Sequence, residues 1–336
     1  VSSVLVTGGS GFLGGWCIAS ALERGHAVRC TLRDPSREGE VRAAVAAAGA
    51  TGAALEFARA DLTSDEGWAD AVAGCDYVLH VASPLPAKQP KNPDELLVPA
   101  RDGTLRVLRA SLDAGVKRVV TTSSVAAIRG SADHGGRTLT EDDWSDAGDT
   151  TMTPYSRSKT AAETAAWEFV RERGAEDRLA TVNPGAIIGP LLSDDPSYSL
   201  QAIERMLGGM PGVPRLGFSF VDVRDVADLH VLAMTSPDAG GERFIAVNRF
   251  LWMSEVGAVL RDRLGERARK VPTRTVPNIA VRAMSIFDPA IRSVVSDLGK
   301  RTTYSAEKAK TRLGWSPRPV EDSIAETAES ILARRG

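Results

Sequence analysis

The 336 residues predict a doubly wound α/β protein: a parallel sheet with helices on both faces, and a smaller C-terminal domain beside it. Three observations carry this expectation. Short β-rich runs alternate with stretches of helical period. Several of those runs are apolar at nearly every position, as strands covered on both faces require. The first run ends in a glycine cluster that opens straight into a helix.

Each element follows from its local pattern. Val4–Thr7 is the first strand, and Phe12–Arg24 the helix after the glycines. His26–Arg33 comes next, with Val28, Cys30 and Leu32 on one side by period-two alternation. Ala54–Arg59 follows and runs into Asp61-Leu62. Asp76–Ala82 and Val116–Ser124 are nearly continuous apolar runs, the second preceded by a helical stretch from Gly103 to Ala114. Leu179–Asn183 makes a sixth strand. From Pro184 to Phe220, prolines and glycines predict loops and short helices rather than sheet. Glu242–Val247 is a late strand. Met253–Leu264, Ala306–Leu313 and about Val320–Arg334 have helical patterns, the last with Ile324, Ala328, Ile331 and Leu332 on one face.

Charge and composition exclude several classes. Lys+Arg (41) and Asp+Glu (43) leave a formal charge of −2 with no basic stripe, so neither nucleic acid nor an anionic membrane is an expected partner. Cys17, Cys30 and Cys75 are far apart in apolar segments and read as small buried hydrophobes rather than a disulfide framework. His26, His80, His134 and His230 lack ligand spacing, so no metal is expected. His80, inside an apolar run, reads as a satisfied core histidine. The first residues enter a strand with no basic flank or apolar leader, and the Ala-rich stretch from Val41 to Ala58 is broken by Gly49 and Gly52. A cytoplasmic monomer or homodimer is the expectation.

The glycine cluster Thr7-Gly8-Gly9-Ser10-Gly11-Phe12-Leu13-Gly14 has GxxGxxG spacing at the first strand–helix junction. A tight turn, close backbone approach and unpaired helix N–H groups at that place suit a dinucleotide pyrophosphate, giving the unit a Rossmann-type character. The second strand ends Thr31-Leu32-Arg33-Asp34. An acidic residue there would take the ribose hydroxyls of NAD, whereas an arginine accommodates the 2′-phosphate of NADP. Arg33 is favoured, because Asp34-Pro35 resembles the start of a turn, and Arg37 adds a second positive contact. NADP(H) is therefore the expected cofactor, with Asp34 on the ribose as the alternative. Asp61-Leu62 suits the adenine edge or, equally simply, caps a helix. The expected division is a cofactor domain over residues 1–184, rejoined by a late strand region at about 221–248, and a substrate-binding domain from 185–220 and 249–336.

Tyr155 and Lys159 are four residues apart at the start of a helical pattern and share one face. A neighbouring ammonium is expected to lower the phenol pKa from about 10 toward the range of acid–base work. Ser124 ends an apolar strand on the carboxyl side of the sheet, where ligands of doubly wound folds bind.

In this order, the glycine loop, Asp61-Leu62, His80-Val81-Ala82-Ser83-Pro84, Ser123-Ser124, Tyr155-x-x-x-Lys159 and Asn183-Pro184-Gly185 resemble the extended short-chain dehydrogenase/reductases. Arg33-Asp34-Pro35 and the HxAxP run are most similar to the branch of dihydroflavonol, cinnamoyl-CoA and yeast methylglyoxal reductases. Phe220–Ala227 and Leu313-Gly314-Trp315-Ser316-Pro317 extend the resemblance to nearly the whole chain.

The resemblance implies that Tyr155 protonates a carbonyl oxygen, Ser124 holds that oxygen, and Lys159 binds the nicotinamide ribose. It implies further that Val81, Ala82, Ser83, Pro184, Gly185 and Ile187 line the cofactor. Ser83, Pro84, Val125 and Tyr198 would join Ser124 and Tyr155 around a small-molecule carbonyl, Tyr198 from a possible lid at Asp194–Leu200. Cinnamoyl-CoA reductases carry Asn-Trp-Tyr-Cys-Tyr at the tyrosine, whereas this chain has Met152-Thr153-Pro154-Tyr155-Ser156. The apolar Val125-Ala126-Ala127-Ile128 likewise replaces the asparagine of flavonoid reductases. A hydrophobic aldehyde or ketone is the expected substrate. The alternatives are an NAD-dependent epimerase or hydroxysteroid dehydrogenase on the same scaffold, and a non-catalytic cofactor sensor. Asp222 and Asp225 read as caps or turn residues.

Overall fold

The expected β-rich runs become the strands of one sheet. They are Ser3–Thr7 (β1), Ala27–Leu32 (β2), Leu55–Arg59 (β3), Tyr77–His80 (β4), Arg118–Thr122 (β5) and Leu179–Pro184 (β6). All six residues of β6 are buried, which a strand in mid-sheet under helices on both faces demands. The chain then forms Ala186–Ile188 (β7) and Gly217–Asp222 (β8), returns to the sheet as Glu242–Ala246 (β9), and leaves again through Arg249–Trp252 (β10). This computed structural model describes residues 1–84, 92–193, 198–286, 289–292 and 295–335, without the side chains of 198, 199, 289 and 290.

The main sheet has the order β9-β6-β5-β4-β1-β2-β3, and every pair is parallel. The chain runs outward from β1 to β3 and then resumes at β4 on the other side of β1. That reversal leaves a crevice at the carboxyl ends of β1 and β4, where doubly wound sheets bind ligands.

The helices that bear on the site are Phe12–Glu23 (α1), Glu38–Ala47 (α2), Asp94–Asp113 (α3), Pro154–Glu172 (α4), Tyr198–Gly208 (α5), Val223–Thr235 (α6), Met253–Leu264 (α7), Glu307–Leu313 (α8) and Val320–Ala333 (α9). Alternation along the strands divides the core. Val4 and Val6 of β1 pack with Cys17 and Ile18 of α1 and Leu229 of α6, while Leu5 faces Leu108 of α3 and Val170 of α4. A further apolar cluster joins Ile203 of α5, Val256 and Leu260 of α7, and Ile324 and Ile331 of α9. Among the described residues no helix is long and apolar enough to cross a membrane.

One expectation fails between Pro184 and Phe220. Instead of loops and short helices alone, β10, β8 and β7 make a second sheet, β8 parallel to β7 and antiparallel to β10. Its glycines mark close approach rather than a turn. A Cβ at Gly185 would lie 2.1 Å from the Ser219 carbonyl oxygen, and one at Gly217 would lie 2.3 Å from Phe250 Cζ.

Asp222 caps α6, its Oδ1 accepting the Arg224 N–H at 2.8 Å. Asp225 does something else. Its Oδ2 accepts the Arg318 N–H at 2.8 Å and its carbonyl accepts Trp315 Nε1–H at 2.8 Å, while the Arg318 guanidinium reaches Asp222 at 2.9 Å. Burial pushes the Asp225 carboxyl up to about 6 although Arg318 draws it down. The two late motifs thus latch the C-terminal segment onto α6.

Candidate active site

The glycine loop owes its shape to three backbone contacts. Gly8 has φ +73°, and a Cβ there would lie 2.8 Å from Ala82 Cα. The Gly11 N–H bonds the Gly8 carbonyl at 3.0 Å, closing the turn. A Cβ at Gly14 would sit 2.0 Å from the Gly8 oxygen, so α1 approaches the turn as only glycine permits. Gly11 is the N-cap of α1, with no side-chain cap and no acidic residue in the first turn. The positive end of α1 is therefore left to an anionic group from outside the helix, which is what a pyrophosphate requires. The residues present fit a dinucleotide.

A cleft of about 1060 Å³ runs from this loop across the carboxyl ends of the strands. Gly8, Gly11, Phe12, Leu13, Gly14, Arg33, Arg37, Asp61, Leu62, Val81, Ala82, Ser83, Pro184, Gly185 and Ile187 all line it. Thr7 does not. It is fully buried, and its hydroxyl accepts the N–H groups of Val81 at 3.1 Å and Ala82 at 3.0 Å. Thr7 holds the crevice walls together from behind, because it shares the parity of Leu5 and points to the face covered by α3 and α4. The hydroxyl also lies 2.9 Å from His80 Nδ1, and Thr104 Oγ1 is 3.4 Å from Nε2, so His80 is a satisfied core residue.

At one end of the cleft, Arg33 is exposed on the lip and Arg37 bonds Ser10 Oγ at 3.1 Å and Glu40. The Asp34 carboxylate caps the turn beside them, accepting Ser36 N–H at 3.0 Å and Ser36 Oγ–H at 2.8 Å. Those bonds, with Arg37 and Arg33 nearby, hold it below the usual carboxylate range. Asp61 is likewise a turn cap, taking Thr63 N–H and Oγ–H at 2.8 Å each.

At the other end, Thr153 starts α4. Its Oγ1 accepts the Ser156 N–H at 3.1 Å and Pro154 occupies the first helical position, which fixes Tyr155 in the first turn. Ser124 and Tyr155 both line the cleft, close enough for the serine hydroxyl to draw the phenol down. Lys159 is buried one turn on, with Nζ donating to the Thr122 carbonyl at 3.2 Å. Burial brings its ammonium down to about 8 while Glu163 raises it.

The expected lowering of the Tyr155 pKa by Lys159 is not found. Desolvation by the surrounding cleft pushes the phenol up, and the Ser124 hydrogen bond is what draws it back. The ring nonetheless keeps 37% of its surface accessible, since it forms part of the cleft wall. One N–H of the Lys159 ammonium is turned to a strand-end carbonyl.

Ser83, Pro84, Ser124, Val125 and Tyr155 converge on the same stretch of cleft, whereas the Tyr198 side chain and residues 194–197 of the expected lid lie outside the described residues. Sequence reasoning missed the far wall, Met206, Met210, Phe218, Met253 and Met284, and the Arg129–Asp297 ion pair at 3.1 Å that also lines the cleft. It also missed Glu163, one turn beyond Lys159 on the same helix face, for which the spacing itself was the available signal.

Comparison with known proteins agrees with this architecture. The NAD dependent epimerase/dehydratase family matches residues 4–247. Cinnamoyl-CoA reductase CAD2 of Medicago truncatula is 34% identical over 343 residues, covering 99% of this chain and 96% of that protein. Tetraketide alpha-pyrone reductase 2 of Arabidopsis thaliana is 37% identical over 270 residues, covering 78% of this chain and 83% of its own length. Among solved structures, yeast methylglyoxal/isovaleraldehyde reductase Gre2 complexed with NADPH superposes with a TM-score of 0.82 at 25% identity, over 99% of each chain. The chain belongs to the NAD dependent epimerase/dehydratase family, in the extended short-chain dehydrogenase/reductase branch that holds the cinnamoyl-CoA and dihydroflavonol reductases.

Proposed function

We propose that this protein is an NADPH-dependent carbonyl reductase acting on a hydrophobic or aromatic aldehyde or ketone, with Tyr155 as the proton donor. The observation that carries the reading is the meeting of Ser124, Tyr155 and Lys159 in one cleft, the last two one helical turn apart. NADPH, when bound, supplies hydride to the carbonyl carbon. The chain's own groups handle the oxygen. Ser124 Oγ–H and Tyr155 Oη–H both donate to it, and as its electron pair develops it takes the tyrosine proton, giving the alcohol. The phenol, pushed up from its ordinary range, is protonated at neutral pH, which is the form a donor needs. The Lys159 ammonium, still charged at pH 7 with a pKa of about 8, then stabilises the phenolate until solvent returns a proton.

NADPH rather than NADH is supported at the other end of the cleft. Asp34 is occupied by its turn, while Arg33 stands exposed beside it as a 2′-phosphate partner. Substrate class is supported by the far wall, where the Met210 and Met284 thioethers and Phe218 present an apolar, adaptable surface. Thr153-Pro154 at the start of α4 is a helix-capping pair in place of the cinnamoyl-CoA reductase motif, which favours an aldehyde or ketone over a thioester.

The test is NADPH oxidation across aromatic aldehydes, diketones, β-ketoesters and steroids, with wild type and Tyr155→Phe. Reduction of at least one class is expected, with a loss of about 100-fold or more in the variant. A folded Tyr155→Phe protein of near-normal activity would falsify the proton-donor role. Tightly retained NAD⁺ with no NADPH oxidation would instead support an epimerase.

A further inference from the structure

Behind the Ser124–Tyr155–Lys159 group lies a buried ion pair that the reduction itself does not use. Glu163 is 3% and Arg243 6% exposed, and Arg243 Nε donates to Glu163 Oε1 at 2.7 Å. Oε1 also accepts the Thr181 hydroxyl at 3.0 Å; Oε2 accepts Asn183 Nδ2 at 2.8 Å and the Ser123 hydroxyl. Arg243 is satisfied in turn by the Glu141 carbonyl at 2.6 Å and the Asp143 carbonyl at 2.8 Å, and its guanidinium stacks on Trp144 at 3.6 Å.

Such a pair is a poor device for stability alone, since the desolvation of two charges offsets most of their attraction. Its connections are the informative part. Ser123 and Asn183 are the chain neighbours of Ser124 and Pro184, and Asn183 Nδ2 also donates to the Ser124 carbonyl at 3.2 Å. On α4, Tyr155, Lys159 and Glu163 recur every four residues along one face. Lys159 and Glu163 both line a small cavity of about 20 Å³ with His80, Thr104 and Ser123. One carboxylate thus touches the helix, the end of β5 and the end of β6, and Arg243 ties it to β9.

We propose that Glu163, held by Arg243, is a positioning residue: through Ser123 and Asn183 it fixes the Ser124 backbone against α4, on whose same face Lys159 stands one turn away. This rests on the reading of Ser124, Tyr155 and Lys159 as the working group. The titratable or charged groups around Lys159 are Tyr155 and Glu163 on its own helix, His80 on β4, and Arg243 on β9 behind the carboxylate. Burial holds His80 neutral at working pH, so Glu163 is the anion that opposes the desolvation of Lys159.

Glu163→Gln tests it. A glutamine amide must set its NH₂ against the Arg243 or the Asn183 donor. If Asn183 flips in response, the Ser124 carbonyl loses its hydrogen bond. Expected are a fall in kcat of about tenfold to a hundredfold, a KM for NADPH within about twofold, and partial recovery in Glu163→Asp. With the anion gone, Lys159 loses its proton more readily, so the alkaline decline of kcat moves down by roughly one pH unit. Glu163→Gln/Arg243→Met, which leaves no unpaired charge, guards against simple unfolding: it should regain thermal stability but not kcat. Wild-type kcat and an unmoved pH profile in folded Glu163→Gln overturn the proposal, as does full recovery of kcat in the double variant. Tyr155→Phe run in parallel separates the two readings. If it stays active, the working-group assignment has failed; if it is inactive while Glu163→Gln is normal, only the positioning role has.

Discussion

Thr7→Val isolates one hydroxyl in the wall of the crevice. The Thr7 oxygen accepts two backbone N–H groups, from Val81 and Ala82, so both lone pairs are taken and its proton goes to His80 Nδ1. The imidazole then carries its proton on Nε2, directed at Thr104 Oγ1, which itself donates to the Ala100 carbonyl at 2.9 Å. Valine keeps the shape and removes the hydroxyl. A buried acceptor is stranded, at about 1–3 kcal/mol, and two half-buried N–H groups lose a partner that water only partly replaces, so the sum is about 3 kcal/mol. For a chain of this length that corresponds to about 4 °C in the unfolding midpoint. Thr7→Ser keeps the hydroxyl and loses one methyl group, about 1 kcal/mol. Urea and thermal unfolding of the three proteins, followed by tryptophan fluorescence, measure the difference. NADPH titration should show weaker binding for valine only, because Gly8 and Ala82 both line the cleft. Equal midpoints for the valine and serine variants would refute the reasoning.

Other outcomes follow from the same geometry. Arg33→Ala should raise the KM for NADPH by about tenfold to a hundredfold and leave NADH nearly unchanged, the worth of a charge-assisted contact. Equal losses with both cofactors count against the 2′-phosphate role. Gly14→Ala places a Cβ 2.0 Å from the Gly8 oxygen and should abolish NADPH binding, whereas Gly39→Ala, with open space around it in α2, should stabilise by up to about 1 kcal/mol. Calorimetric titration and urea midpoints decide both. Burial holds His80 down to about 3 and His230 to about 4, below the ordinary 6.5. The unfolded chain therefore binds protons first as pH falls, so their contribution is complete above about 6.5 and is lost through the window toward 4. About 3 kcal/mol should disappear between pH 6.5 and pH 5 for the two together. Urea midpoints that stay level over that range would contradict it.

The main sheet was legible because β6 and its neighbours have no polar face, and only a strand between two helical layers tolerates that. Ends were less so. The run Asp76–Ala82 shortens to Tyr77–His80 because Val81 and Ala82 bond the Thr7 hydroxyl instead of another strand. Glycine misled between Pro184 and Phe220, since the same residue serves a turn and a close strand crossing, and only the partner at Ser219 or Phe250 tells them apart. The placement of Ser124, Tyr155 and Lys159 around one cleft was readable from strand ends and helical spacing. Glu163 was readable as a position but not as a contact, because Arg243 is 80 residues away. Nor does a linear pattern show that four of the six methionines meet along one wall.

The late return of β9 also sets an order of assembly. The pairings of β1 to β5 need only the first 122 residues, and the glycine loop lies among them. Arg243 meets Glu163 across 80 residues, and Trp315 meets Asp225 across 90. Contacts of such long sequence separation form late, after the loops they close have lost their freedom. A ribosome therefore delivers the phosphate loop well before the guanidinium that anchors the acid–base helix. The loop that meets the pyrophosphate and the ion pair behind the acid–base helix are thus made at opposite ends of synthesis.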